Sequence, residues 1–306
     1  MTSKDSSIAI VGGGAWGLST ALHLRWAGYK NITVFERAQK IPSPYSAAYD
    51  INKIARAEYE DKFYSKLALT GYVVRATSSA PKKATDHLEK ALSSIESDPA
   101  FAPGIRRLQS AKDFKEYTWQ YSGPLTGFRG YFNRLAGYAH SSDALSGAWE
   151  ECVRLGVKFV QGDEAGRVVR LRCGTSEPTE TTSRQYRCSG IQTADGKVHA
   201  TDLTICALGA HAASILPGLG DSVQARCWSV AHVQLDEQEA NFLRGIPTTN
   251  IRDLGFFFEP DPKTHLFKLC PLGVGYTNPG KDDVSLPPPD RFLLLKTSFR
   301  PKMNRS

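Results

Sequence analysis

Ile8-Ala9-Ile10-Val11-Gly12-Gly13-Gly14-Ala15-Trp16-Gly17 is the stretch on which the reading of this chain turns. The apolar run makes a short strand, the glycines make a turn, and Leu18 to Ala27 continues as a helix. A second apolar run, Ile32-Thr33-Val34-Phe35, then ends on Glu36. Strand, Gly-rich turn, helix, strand and acid follow in the order of a dinucleotide-binding unit. Gly12 allows the tight turn, Gly14 lets the backbone approach a pyrophosphate, and Gly17 lets the helix pack closely on the strand. The helix N-terminus offers free N–H groups and partial positive charge to the phosphates. Glu36, about 20 residues past Gly17, puts a carboxylate where both ribose hydroxyls can donate to it. The pattern alone does not say which dinucleotide is bound.

Composition narrows the class. A chain of 306 residues with 41% hydrophobic and 23% charged residues has room for two ordinary globular domains. No apolar run reaches membrane-spanning length, and the polar start Met1 to Ser7 is too short for a signal peptide before the strand at Ile8. No membrane association and a cytoplasmic location are therefore expected. Cys152, Cys173, Cys188, Cys206, Cys227 and Cys270 are scattered without a C-x-x-C pair, which reads as free thiols, with no metal site. The net charge of +7 is carried largely by Arg291, Lys296, Arg300, Lys302 and Arg305, set against Asp290 alone. Elsewhere no basic stripe interleaves with aromatics, so nucleic acid is not an expected partner.

Along the chain, residues 58–69 read as a helix and Gly71-Tyr72-Val73-Val74 as a strand. Thr85 to Ser97 carries Leu88, Leu92 and Ile95 at helical spacing. Gly123-Pro124 and Gly127 to Gly130 mark turns before the segment from Tyr131 to His140. Ser141-Ser142-Asp143 reads as the cap of a helix stopped by Gly156, and the strand Val157 to Val160 after it suggests a further β–α–β element. Arg167 to Leu171 alternates as a strand, and Ala194-Asp195-Gly196-Lys197 joins Ile191-Gln192-Thr193 to Val198-His199-Ala200 as a hairpin. The Ser/Thr/Glu-rich residues 174–187 read as a surface excursion. Leu203 to Leu208, ending at Gly209, is the natural return strand of the nucleotide domain, and from Trp228 onward the pattern is antiparallel β. The fold class is α/β: a Rossmann-type domain with a second, antiparallel-sheet domain. The expected boundaries are 1–70 with 138–222 for the first, 71–137 with 223–286 for the second, and 287–306 as an atypical tail. His140, His211, His232 and His265 pair with no obvious acid, and Trp16 and Trp26 read as core packing of the first helix.

Several segments together resemble the flavin-dependent amine oxidases related to monomeric sarcosine oxidase, in particular the fungal fructosyl amino acid, saccharopine and pipecolate oxidases. They are Ile8 to Glu36, Asp50 to Ile54, Gly130-Tyr131-Phe132, Gly137 to His140, Gly156 to Phe159, Gly166 to Val169, Gly255 to Pro260 and Gly275 to Asn278. The resemblance implies FAD as the dinucleotide and a C-terminally truncated chain that acts as a monomer. It also implies hydride transfer from the carbon beside a secondary amine to flavin N5, hydrolysis of the imine, and reduction of oxygen to hydrogen peroxide. Val11, Gly12, Gly14, Ala15, Trp16, Gly17, Glu36, Arg37, Ser46, Lys53, Val168 and Gly209 are the implied cofactor contacts. Lys268 is the implied catalytic lysine for oxygen reduction, its ammonium stabilising developing superoxide, and Lys53 is implied close to the flavin ring. Read without the family, Lys268 is a surface lysine on an edge strand and Lys53 a solvated one.

The departures bear on substrate. Fructosyl amino acid oxidases carry a glutamate four residues after the strand lysine, and here that position is Leu272. A saccharopine-, pipecolate- or N-methyl amino acid-like substrate is accordingly expected, with a fructosyl amino acid as the alternative. The family's C-terminal part, with its flavin-bonding cysteine and substrate-binding arginine, has no counterpart after Asn278. A catalytically inactive relative is therefore a second reading. A nicotinamide-dependent dehydrogenase fits the opening fingerprint and not the later segments.

Overall fold

A computed structural model describes residues 3–44, 46–55, 72–121, 123, 127–175, 186–220, 222–273 and 275–278. The described residues form two compact units, one of residues 3–51 with 140–227 and 276–278, the other of residues 52–139 with 228–275. Elements are numbered in chain order.

The first unit is built on a parallel sheet. β1 (Ser7–Val11) lies between β2 (Asn31–Glu36) and β12 (Leu203–Cys206), and β2 also pairs with β8 (Lys158–Gln161). All three pairings are parallel. Ile8 to Val11 are buried throughout because β1 is covered on both faces, as a central parallel strand must be. One face holds Ile8, Ile10, Ile32 and Val34 against α1 (Ala15–Trp26) and α4 (Ser141–Arg154), which contribute Leu18, Ala21, Leu145 and Cys152. The other face holds Ala9, Val11 and Phe35 against Val168 and Ile191. Those two residues belong to a small antiparallel sheet of β9 (Val168–Thr175), β10 (Tyr186–Thr193) and β11 (Val198–Ala200).

The second unit is a seven-stranded sheet. Its order is β13 (Ala231–Gln234), β16 (Leu266–Pro271), β15 (Gly255–Phe257), β14 (Thr248–Ile251), β4 (Tyr72–Ala76), β6 (Arg129–Asn133) and β5 (Ile105–Leu108). On one face, Leu88, Leu92 and Ile95 of α2 (Lys82–Glu96) pack on Val74, Ala76 and Tyr131. On the other, Phe114 of α3 (Ala111–Tyr117) packs on Val73 and Leu108. A separate ribbon pairs β3 (Lys53–Ala55) with β7 (Gly137–Ala139). Among the described residues the remaining α-helices are α5 (Ala212–Ile215), in the first unit, and α6 (Glu237–Phe242), in the second.

Several expectations change. The second sheet is not wholly antiparallel, because β14 runs parallel to β4. The further β–α–β element is not one: β7 pairs with β3, whereas β8 joins β2. His140 rather than a serine occupies the N-cap of α4, without a side-chain cap bond, and Gly156 does end it at φ +80°. Asn52 to Ala55 go with the second unit, since β3 pairs there, and Tyr276 to Asn278 go with the first. The strands β9 and β10 extend into the supposed excursion, Tyr186 pairing with Thr175. Trp16 and Trp26 are 81% and 60% exposed, because the buried face of α1 is Gly17, Leu18 and Ala21. The helix expected at 58–69, the basic tail and the first domain boundary at residue 70 lie outside the described residues. No helix among the described residues is long and apolar enough to cross a membrane.

Candidate functional site

The C-terminal end of the parallel sheet is where an α/β fold binds its ligand, and there the glycines stand. Gly12, at φ +109°, donates its N–H to the Phe35 carbonyl at 2.8 Å, and a Cβ at Gly12 would collide with the Ala207 carbonyl oxygen. A Cβ at Gly17 would collide with the carbonyl of Gly12, so α1 starts this close to β1 only with glycine there. At Gly14 the situation differs. Its backbone is extended, with φ −78°, and the nearest atom to an added Cβ is Ser46 Oγ at 3.2 Å. Gly14 is the N-cap of α1 and supplies no side-chain cap, and the first turn of α1 has no acid. The N–H groups of that turn therefore point at whatever stands over Gly14.

Glu36 closes the site at the end of β2. Its Oε2 accepts from Gly13 N at 2.8 Å and its Oε1 from Ala38 N at 2.9 Å. These two bonds hold the buried carboxylate beside the glycine turn and leave each oxygen a lone pair for a ribose hydroxyl. The fit to a dinucleotide thus rests on the glycines only glycine can fill, the uncapped helix and the fixed acid. Free N–H donors beside a fixed carboxylate suit the pyrophosphate and ribose of a dinucleotide, and the first helical turn carries no acid to oppose the phosphate charge.

The other expected contacts fall at varied positions within this unit. Val11 and Val168 are buried in the same cluster, Val11 leading directly into the turn. Ala15 and Trp16 are exposed at the start of α1. Ser46 Oγ accepts from Ala48 N and faces Gly14. Arg37 Nη1 lies 3.3 Å from His211 Nε2. Gly209 stands two residues past Ala207 at φ +53°, with nothing within 4 Å of an added Cβ. A groove of about 850 Å³ in this unit is lined by Ser7, Asn31, Thr33, Phe35, Lys158 and Val160, and by none of Gly12, Gly14 or Glu36.

In the second unit Lys268 is 2% exposed on β16, which is flanked by β13 and β15 and is no edge strand. Its Nζ donates to the Asn52 carbonyl at 3.0 Å and stands 5.3 Å from the centre of the Phe258 ring. Lys53, the next residue after Asn52, is exposed on β3 opposite Ala139. The two expected lysines are therefore brought to one short segment, one buried and one open. His232 on β13 is the cross-strand partner of Lys268. Tyr138 donates to Glu259 Oε1 at 2.7 Å, and Gly245 N donates to Glu259 Oε2 at 2.9 Å. Burial, then the hydrogen bond to Glu259, pushes the Tyr138 phenol well above its ordinary range. Leu272 is 41% exposed. The expectation that no histidine meets an acid is corrected by His140, whose Nδ1 lies 3.4 Å from Asp143 Oδ2, one helical turn on.

Sequence reasoning missed Ala207, Asn52 and Glu259, all of which act at these positions. Ala207 and Asn52 act through backbone carbonyls, which leave no mark on residue type. Glu259 stands inside the quoted run Gly255 to Pro260, and its partner Tyr138 is 121 positions away.

Residues 7–300 match the model of the DAO family, FAD dependent oxidoreductase. The chain is 33% identical to L-saccharopine oxidase of Schizosaccharomyces pombe over 291 residues, covering 88% of this chain and 66% of that protein. It is 26% identical to the amino acid oxidase fsqB of Aspergillus fumigatus, covering 79% of this chain and 56% of the relative. The chain therefore spans less than two thirds of the length of these curated relatives. Among solved structures, fructosamine oxidase (Amadoriase II) of Aspergillus fumigatus superposes with a TM-score of 0.78 at 30% identity, over 94% of this chain and 68% of that one.

Proposed function

The chain belongs to the DAO family of FAD-dependent oxidoreductases, and on that premise we propose that it binds FAD and oxidises the C–N bond of a secondary amine or amino acid. The substrate is of saccharopine, pipecolate or N-methyl amino acid type, oxygen is the acceptor, and hydrogen peroxide is the product. The observation that carries this reading is the pairing of the uncapped α1 N-terminus over Gly14 with the fixed carboxylate of Glu36. Likeness to a protein named L-saccharopine oxidase supports the substrate class.

Bound FAD supplies a two-electron acceptor for the hydride beside the amine nitrogen and passes the electrons to oxygen. Residues of the first unit would hold its ADP end: N–H groups of the α1 first turn would meet the pyrophosphate and Glu36 the ribose, with Gly12, Gly14 and Gly17 keeping side chains out of the way. Lys268 contributes a fixed charge. Held by the Asn52 carbonyl and shielded from solvent, its ammonium stabilises negative charge developing on oxygen without having to reorganise. Lys268→Met should lower the rate at which reduced protein reacts with oxygen by about 10²–10³-fold. Reduction by the amine should change far less. Stopped-flow measurement of the two half-reactions separates them, and an equal loss in both would count against this role.

A second reading, fructosyl amino acid oxidation, is favoured by the likeness to Amadoriase II. Leu272 opposes it, being an apolar, partly exposed side chain at the position where that group carries glutamate. A peroxide assay against saccharopine, pipecolate, sarcosine and a fructosyl amino acid decides between them. Turnover of any of the first three supports the proposal, turnover of the fructosyl compound alone supports the second reading, and a flavin-bearing protein inert to all four contradicts both.

A further inference from the structure

Outside the nucleotide site, the first unit brings together thiols that are far apart in sequence. Cys173 on β9 and Cys188 on β10 are direct Cα partners in antiparallel register, so their side chains leave the same face of the sheet. Directly opposed residues of such a pair have Cα atoms about 4.5–5.5 Å apart, which is inside the range a disulfide spans without backbone movement. Cys188 also points its Sγ at Gly190 O (3.4 Å) and Thr204 Oγ1 (3.5 Å). Thr204 and Cys206 alternate with Leu203 and Ile205, which join the cluster on the opposite face of the parallel sheet. Cys206 therefore faces β10 from β12, on the same face as Thr204, which Cys188 Sγ meets. Cys173 and Cys206 are exposed and Cys188 is half-buried, whereas Cys152 and Cys270 are buried. Among the described residues no group of His, Cys, Asp or Glu is arranged to hold a metal ion.

We propose that Cys173 and Cys188 form a peroxide-responsive cross-strand disulfide, with Cys206 placed to exchange into it. The exposed Cys173 thiolate attacks hydrogen peroxide: an S–O bond forms, the O–O bond breaks and hydroxide leaves, oxidising the sulfur to a sulfenic acid. The Cys188 sulfur, its thiol proton lost to solvent, then attacks Cys173. An S–S bond forms, the S–O bond breaks and the oxygen departs as water. In sum two thiols and one hydrogen peroxide give one disulfide and two waters. Burial and the neighbouring sulfur hold Cys173 above the ordinary thiol range, and burial does the same for Cys206. The cluster is thus a slow thiol that answers sustained rather than momentary peroxide. The bond would tie β9 to β10 on the far side of the register shift between Cys188 and Ile191, where the ladder is interrupted. Amine oxidation of the kind proposed above would generate the oxidant, but the chemistry needs only peroxide from any source.

Trypsin places Cys173, Cys188 and Cys206 on separate peptides, since cleavage follows Arg172, Arg184, Arg187, Lys197 and Arg226. Folded protein is treated with added hydrogen peroxide, alkylated, digested and examined by mass spectrometry without reduction. The expected product is the Cys173 and Cys188 peptides joined and lighter by two hydrogens, restored by a dithiol reductant, with Cys152 and Cys270 unoxidised. In Cys188→Ser the joined pair should be lost, and Cys173 should carry a sulfenic acid that a 1,3-diketone traps or bond to Cys206 instead. Conversion of Cys173 to sulfinic acid beside an unmodified Cys188 would overturn the proposal, as would disulfides formed mainly between molecules. Because peroxide is added directly, neither outcome depends on amine oxidase activity.

Discussion

A methyl group at Gly17 would overlap the Gly12 carbonyl oxygen, whereas one at Gly14 would meet only Ser46 Oγ, at 3.2 Å. The two glycines of one motif therefore do different work. Gly17→Ala should cost about 3 kcal/mol or more, since backbone must move to admit the methyl. Gly14→Ala should cost under about 1 kcal/mol, its φ being ordinary for alanine, yet weaken FAD binding at least about tenfold where a pyrophosphate must approach. Urea unfolding and flavin titration of the two variants separate these effects. Arg75 makes a different residue-scale case. It is 5% exposed, with Nε and Nη1 lacking any hydrogen-bond partner, 4.4 Å from the Phe128 ring, 5.4 Å from Tyr121 and 5.9 Å from Phe114. Cation–π contacts return about 0.5–2 kcal/mol, but each unsatisfied buried donor costs about 1–3 kcal/mol and the buried charge costs more. Arg75→Met, of similar volume, should therefore raise stability by about 1–2 kcal/mol in urea unfolding. A loss of that size would show that the rings more than offset the missing hydrogen bonds. Of these residues the glycines and Glu36 were legible in sequence, because their chemistry acts within one local motif. Lys268 was named only through the family resemblance, since its burial and its bond to Asn52, 216 positions away, are set by the sheet.

At the scale of elements, the hairpin joining β10 to β11 is held by Asp195. Thr193 Oγ1 donates to Asp195 Oδ1 at 2.6 Å, Lys197 N donates to the same oxygen at 3.2 Å, and Lys197 Nζ lies 3.0 Å from Oδ2. The Thr193 hydroxyl first, then Lys197, holds this carboxyl below the usual range, to about 2. A depressed folded-state value means the stabilisation is full above the unfolded pKa of about 4 and is lost as pH falls from there towards about 2. Amide exchange in the hairpin should accelerate over that window, and Asp195→Asn should abolish the acid-dependent part. An unchanged window in the variant would place the titration elsewhere. The hairpin was read directly from Ala194-Asp195-Gly196-Lys197, because turn chemistry is local. α3 and α6 were overlooked although their capping boxes, Ser110 with Asp113 and Asp236 with Glu239, stand in the sequence. Both helices are shorter than the window over which apolar periodicity is counted, so only the caps could have found them. The parallel pairing of β14 with β4 had no local signal, because it joins segments about 175 positions apart, brought together only by the whole sheet.

For the molecule as a whole, the first unit sets an uncapped helix N-terminus beside the fixed Glu36 carboxylate, and the second sets the buried Lys268 on the Asn52 carbonyl, next to the exposed Lys53. Family membership points to FAD, while the glycine pattern and the geometry at Gly14 and Glu36 admit any dinucleotide. That difference came from later segments such as Gly255 to Pro260, whose meaning lies in their combination and order rather than in any one spacing. The direct test of the account is equilibrium binding of FAD to the purified chain by calorimetry and visible absorbance, with NAD and the Gly14→Ala variant alongside. The account predicts one FAD per chain, no measurable NAD at the same concentrations, and loss of FAD in the variant. A chain that takes up no FAD, or that holds it equally well with alanine at position 14, would contradict it.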